Sequence, residues 1–284
     1  MYDAGVASDS GLKTIAMQRV NGSARVAFAV SGGTTRLTDL YQSGAAKIRL
    51  PKVYDLPRTA VLINTAGGLT GGDRLSYEVD LAEGAHAIVT SQTAERAYQS
   101  VSGSAKVTSL LTAGKDAVLE WLPQETILFN RSGLSRSLRA ELESNARFLM
   151  LETVVLGRKA MGERVNSVFF RDSWRIRRNG KLVFADDFRL EGNAEQILAG
   201  PATAREGQAV ATLVDCTPDA LDRLALARSC LDNLAAGTVR AAASAWNGLL
   251  TVRFVSDDSR DLRNALITFL TGYRSADLPR VWHC

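Results

Sequence analysis

The sequence is poor in the side chains that hold metals tightly. Of its 284 residues, three are cysteine (Cys216, Cys230, Cys284), two are histidine (His86, His283), and no Cys-x-x-Cys occurs. A tight structural or catalytic metal site needs several thiolate or imidazole ligands at close spacing, and this chain can barely assemble one. Three cysteines are also too few, and odd in number, for a disulfide framework, which suits a reducing compartment. No apolar run reaches the roughly 18 residues needed to span a bilayer, so no membrane association is expected. Met1 to Lys13 is small and polar, without the basic and apolar regions of a signal peptide. Residues 1–13 therefore read as a short disordered tail, and the protein as cytoplasmic. A Gly-x-Ser-x-Gly nucleophile motif and a Gly-x-Gly-x-x-Gly dinucleotide motif are both missing.

The net charge is only +4. The strongest basic cluster is Arg171, Arg175, Arg177, Arg178 and Lys181. Trp174-Arg-Ile-Arg-Arg alternates, so these side chains point out of a strand into water or toward a protein. No aromatic platform interleaves with them, and nucleic acid is not an expected partner.

What is present is mostly strand. Arg25 to Val30, Thr59 to Asn64, Leu75 to Asp80 and Ala87 to Ser91 are β-type runs bounded by turn residues. Asn179-Gly180 and Asn247-Gly248 each separate two such runs and predict two-residue hairpin turns, because both central positions of a type I′ turn need positive φ. A faint repeat of roughly 30 residues relates Val79–Ser91, Ser109–Trp121 and Ala140–Glu152. It aligns Leu81 with Leu111 and Leu142, Gly84 with Gly114 and Asn145, and Ala87 with Ala117 and Phe148. Each unit reads as strand, tight turn, strand; three unrelated hairpins would be the plainer alternative. The expected fold is mainly β: stacked antiparallel hairpins in a solenoid-like (β-helical) body, with a small C-terminal helical element. No linker divides residues 14–284, which read as one domain. Helices are expected near 218–236, capped by Thr217 with Pro218 at the first turn, and near 259–272, with Leu262, Ala265, Leu266, Phe269 and Leu270 on the buried stripe. A short helix is expected at 193–199, and the tail Leu278-Pro-Arg-Val-Trp282 is apolar enough to dock on the body or a partner.

Asn64-Thr-Ala-Gly-Gly-Leu-Thr-Gly-Gly-Asp73 lies between two strands. A phosphate-cradling loop would need a lysine and a following helix; here an aspartate ends the segment and a strand follows. Gly67, Gly68, Gly71 and Gly72 instead permit positive φ and close backbone approach. On these residues alone the segment is either a plain tight loop, with Asp73 capping nearby amides, or a wall that holds Asn64 and Asp73 as polar groups.

Four segments in order, Asn64–Arg74, Thr90-Ser-Gln-Thr-Ala-Glu95 with Tyr98, Leu119–Phe129 and Gly157-Arg-Lys-Ala-Met-Gly-Glu163, resemble the urease accessory family UreD (UreH). The resemblance extends from about Ile15 to Trp282. It implies a β-rich, solenoid-like scaffold that is not an enzyme. It also implies partners: apo-urease, the accessory protein UreF and, through UreF, the GTPase UreG. The assembly passes nickel into the urease site, by one account through a polar tunnel in the UreD-like subunit. A conduit must bind its ion weakly enough to release it. No tightly bound cofactor and no tight metal site are therefore expected, only nickel in transit. Asp73, Thr90, Ser91, Gln92, Glu95, Glu120, Glu125 and Glu152 are the candidates for a polar path, of which two or three are expected to line it. Arg158, Met161 and Glu163 are candidate partner contacts, with a local salt bridge as an equal explanation for Arg158 and Glu163. His86 is expected to be solvated, and His283-Cys284 to be a frayed end. The competing readings are a purely structural binding module and a β-helical carbohydrate-active hydrolase using Glu120 with Glu125 or Asp186 with Asp187. The last two would point to opposite strand faces.

Overall fold

A computed structural model describes residues 19–52, 57–234, 237 and 239–283. The expected tail at 1–13 and Cys284 lie outside them. In chain order the strands are β1 (Asn21–Ser31), β2 (Thr34–Gly44), β3 (Ala46–Arg49), β4 (Arg58–Asn64), β5 (Arg74–Leu81), β6 (His86–Ser91), β7 (Glu95–Ala97), β8 (Ala105–Ala113) and β9 (Val118–Leu122). There follow β10 (Thr126–Leu128), β11 (Ser132–Leu142), β12 (Arg147–Leu156), β13 (Val168–Arg178), β14 (Lys181–Gly192), β15 (Ala209–Asp215), β16 (Val239–Trp246) and β17 (Leu249–Ser256). The helices are α1 (Ala194–Leu198), α2 (Leu224–Asp232) and α3 (Ser259–Arg274).

The strands form two sheets. One has the order β14-β13-β11-β8-β5-β1-β2; the other is β16-β17-β15-β12-β9-β6-β4-β3, with β7 and β10 paired off its path. From β4 to β13 the chain passes back and forth between them. Consequently β1, β5, β8, β11 and β13 run parallel in one sheet, and β4, β6, β9 and β12 in the other. The body is mainly β and stacks as a solenoid, as expected. The pairing inside each repeat is corrected. The two strands of a unit do not pair as a hairpin; they lie in facing sheets and hydrogen-bond to their equivalents in the next unit. The physical reason is that both carry an apolar face. Leu75, Tyr77, Val79 and Leu81 on β5, with Ala87 and Val89 on β6, join one buried cluster between the sheets.

The repeat register is corrected too. Leu81 pairs with Ala113, and Ala113 with Leu142, so the second unit sits two residues from the alignment on Leu111. The stacked turns are Ala82-Glu-Gly-Ala85, Gly114-Lys-Asp-Ala117 and Glu143-Ser-Asn-Ala146. In each, the final alanine amide donates to the carbonyl three residues earlier, and all three alanines are fully buried. Gly84 finds its counterpart in Asp116, at φ 56°, not in Gly114. The slip is invisible in hydrophobicity, because a shift of two keeps Leu111 on the inward face.

Both Asn-Gly turns are present. Asn179 and Gly180 have φ of 49° and 75° between β13 and β14, and Asn247 and Gly248 have 49° and 79° between β16 and β17. α2, α3 and the C-terminal segment cover the outer face of the second sheet, which β15–β17 extend, through a separate apolar cluster. The stripe of α3 is the expected one, extended by Tyr273. Its cap is Asp258, whose carboxylate accepts from the amides of Arg260 and Asp261. The helix continues through Gly272, where a Cβ would stand 3.2 Å from Cys230 Sγ of α2. That glycine admits the neighbouring helix rather than stopping its own. Regular helix in α2 begins at Leu224, not at Pro218. Asp215, at the end of β15, accepts from the Thr217 amide at 2.8 Å and pairs with Arg223 at 2.6 Å, which holds 217–223 in successive turns. The short helix capped by Asn193 is present. Cys216 and Cys230 are buried and free.

Candidate functional site

Strand parity sends β11 side chains Leu134, Arg136, Leu138 and Ala140 inward, and β13 side chains Phe170, Asp172 and Trp174 inward to meet them. Two charged groups thus enter an apolar interior, and Glu152 of β12 enters from the opposite sheet. Arg136 Nη2 donates to Asp172 Oδ2, and Nη1 donates to Thr126 Oγ1 at 2.9 Å. Nη1 is also 2.8 Å from Glu152 Oε2, as an ion pair without hydrogen-bond alignment. Trp121 Nε1 donates to the other Glu152 oxygen at 2.7 Å. Burial works against the Arg136 charge, but Asp172 and Glu152 outweigh it and raise its pKa. Burial pushes the Glu152 carboxyl above its ordinary range, against the pull of Arg136.

This layer borders two cavities between the sheets. The first, about 140 Å³, is lined by Asn64, Ser91, Gln92, Glu95, Gln124 and Arg136, among others. The second, about 290 Å³, is lined by Trp174, Asp186, Thr203, Thr212 and Arg253, among others. Glu152 and Asp172 line both and are the wall between them. Burial raises the pKa of Glu95, although the Arg96 amide and the Asn64 side-chain amide bond to it.

Of the eight path candidates, Ser91, Gln92, Glu95 and Glu152 line the first cavity. Four do not. Asp73 is 2% exposed, and its carboxylate is taken up by the amides of Val20 and Thr70, each at 2.8 Å. It ties the start of β1 to the glycine-rich turn and does not stand at a polar wall. Thr90 is buried against the Trp282 indole, whose Nε1 donates to it at 3.2 Å. Glu120 faces Arg274 at 2.6 Å and His86 at 3.9 Å. Burial pushes it up, but His86 and Arg274 prevail and hold it below the usual carboxylate range. His86 is therefore turned toward a carboxylate rather than simply solvated. Glu125 pairs with Arg263 at 3.0 Å. The glycine loop serves the site indirectly. Gly68 and Gly71 let it lie against residues 96–103, since a Cβ on Gly71 would fall 1.9 Å from Ser100 Oγ. Asn64, at its start, then binds Glu95.

Neither proposed acid–base pair forms. Glu120 and Glu125 have separate arginine partners, and so do Asp186 (Arg253, 2.6 Å) and Asp187 (Arg175, 2.7 Å). Arg158 pairs with Glu163 at 2.8 Å and lies over the Phe129 ring, while Met161 between them is 73% exposed. Among the described residues, no group of three or more His, Cys, Asp or Glu is placed to hold a metal ion, and no helix is long and apolar enough to cross a membrane.

Reading the sequence missed Arg136, Asp172 and Gln124. The signal for the first two was present: each is a charged residue at an inward position of an alternating strand.

The sequence model of the family described as UreD urease accessory protein matches residues 20–283. The chain belongs to the UreD family. It is 43% identical over 267 residues to the urease accessory protein UreD of Rhizobium leguminosarum bv. viciae, covering 94% of this chain and 96% of that one. It is 45% identical over 255 residues to the UreD of Methylobacterium sp. (strain 4-46), covering 89% and 90%. With the urease accessory protein UreD 1 of Brucella ovis it shares 42% over 284 residues, covering 98% and 99%. These UreD relatives are named as accessory proteins rather than as enzymes.

Proposed function

We propose that the chain is a urease maturation factor, a non-catalytic cytoplasmic scaffold that binds apo-urease and UreF, and UreG through UreF, and that passes nickel toward the urease site along its interior. Family membership supports the role in maturation. The observation that carries the path is the buried layer of Arg136, Glu152 and Asp172, with a cavity on each side. Apolar packing would be the cheaper interior for a β body, because buried charges cost desolvation. Oxygen donors in pairs suit an ion that must be released, whereas soft clustered ligands would retain nickel. Ser91, Gln92 and Glu95 offer the entry side, and Glu152 the crossing. Met161, with Arg158 and Glu163 bracing its turn, offers an apolar contact for a partner.

A second reading, a binding module without metal passage, draws on the same layer, because the salt bridge stands between the two cavities. Replacing Ser91 or Gln92 by Trp separates the two. In cells carrying the urease genes, the path requires that these variants still co-purify with the partners yet fail to activate urease. Full activation with a filled first cavity would leave only the scaffold.

A further inference from the structure

The layer between the cavities holds two carboxyl groups and one guanidinium, so with both carboxyls ionised it carries one negative charge more than it neutralises within itself. Arg136 reaches it from the first cavity, and its hold is incomplete. Its Nε is buried without a partner, and its approach to Glu152 lacks hydrogen-bond alignment. Trp174 Nε1, also buried without a partner, lines the second cavity just beyond. A further carboxyl, Glu95, lines the same cavity and feels the Arg136 charge. The guanidinium is always charged and occupies the place that a cation would take between the two carboxylates. Whatever replaces it must be cationic, small and able to serve both carboxylates at once. A divalent cation meets that requirement. A monovalent ion brings no more charge than arginine and none of its directed bonds, and an anion is repelled.

We propose that Arg136 is the specificity-determining residue of the path: it closes the layer as a built-in surrogate cation, and a divalent cation crosses by exchanging with it on Glu152 and Asp172. This rests on the path reading given above. It explains how an interior that is closed at rest passes a metal without a standing pore.

The test is nickel binding by the purified full chain, measured by equilibrium dialysis and calorimetry, with sodium as the monovalent control. Arg136→Met leaves the carboxylate pair without its resident cation, and the nickel dissociation constant is expected to fall about tenfold. Arg136→Lys keeps the charge, so it guards against loss of folding, but lysine cannot fork across both carboxylates; a smaller fall is expected. Adding Glu152→Gln to Arg136→Met is expected to cancel the gain. Sodium binding should change in none of them. Folded Arg136→Met and Arg136→Lys proteins that bind nickel no more tightly than the parent overturn the proposal. In that event, loss of activation by Ser91→Trp shows that the path stands and only the clamp is wrong. Full activation by Ser91→Trp removes the path and the clamp's role with it.

Discussion

Asp73 and Glu95 show how differently a buried and a half-buried carboxyl group act in one fold. Asp73 holds two main-chain amides, those of Val20 and Thr70. Asp73→Ala would leave both amides unbonded and should cost about 3 kcal/mol, since bonds to a charged group contribute about 1.5–3 kcal/mol each; urea unfolding measures it. Glu95 is burdened by burial, which raises its folded pKa above the ordinary 4.5. Between those two values the unfolded chain has lost the proton and the native state still holds it. Stability is therefore fully present below about 4.5 and falls as pH rises through the raised folded value. Glu95→Gln should flatten that fall when unfolding free energies at pH 5, 6 and 7 are compared. A parent protein whose stability rises over this interval, with Glu95→Gln unable to alter the slope, would contradict the assignment. The glycine loop was legible as a family mark and as a non-nucleotide loop, but the use of its aspartate was not. Nothing local distinguishes a carboxylate that caps amides from one that faces a cavity.

At the level of elements, local chemistry was a good guide wherever an interaction closes over a few residues. Both Asn-Gly turns, the cap of α1 and the buried stripe of α3 follow from neighbouring positions alone. The cap of α3 is Asp258, and Asp258→Ala should lower stability by about 1 kcal/mol through the loss of its side-chain bonds to two amides. The start of α2 was not legible, because the Asp215–Arg223 bridge that shapes 217–223 is anchored on Tyr273 of α3, fifty residues away. Gly71 belongs to the same lesson. Its spacing to Gly72 and Asp73 suggested a turn, whereas its need for glycine comes from the 100–103 loop pressed against it. Gly71→Ala should destabilise by about 1–3 kcal/mol, as overpacking does, and should perturb residues 98–103 in an amide spectrum more than the distant Asn179-Gly180 hairpin.

In the whole molecule, two sheets of parallel coils enclose the polar layer, and α2, α3 and the C-terminal turn close the outer face of one sheet. Trp282 seals that closure. It is 2% exposed, bonds to Thr90 and to the Leu122 carbonyl, and lies under Arg263. Trp282→Ala should cost about 3–5 kcal/mol and speed hydrogen exchange in 278–283 and in the adjoining part of β6. Protection unchanged there would mean that the segment contributes little to the body.

The sequence by itself determined the class of fold, the tight turns, the repeat and the family, because each rests on period-two alternation, on residues that accept positive φ, or on ordered segments read along one line. Only the tertiary structure decided which inward polar residues meet. Alternation places Arg136, Glu152 and Asp172 on interior faces, but it is silent about which coil lies opposite which. A register shift of two residues leaves every face unchanged while moving each side chain by two places along its strand. The layer that separates the two cavities depends on β12 facing β11 across the interior, which brings Glu152 to Arg136, and on β13 stacking beside β11, which brings Asp172 to it.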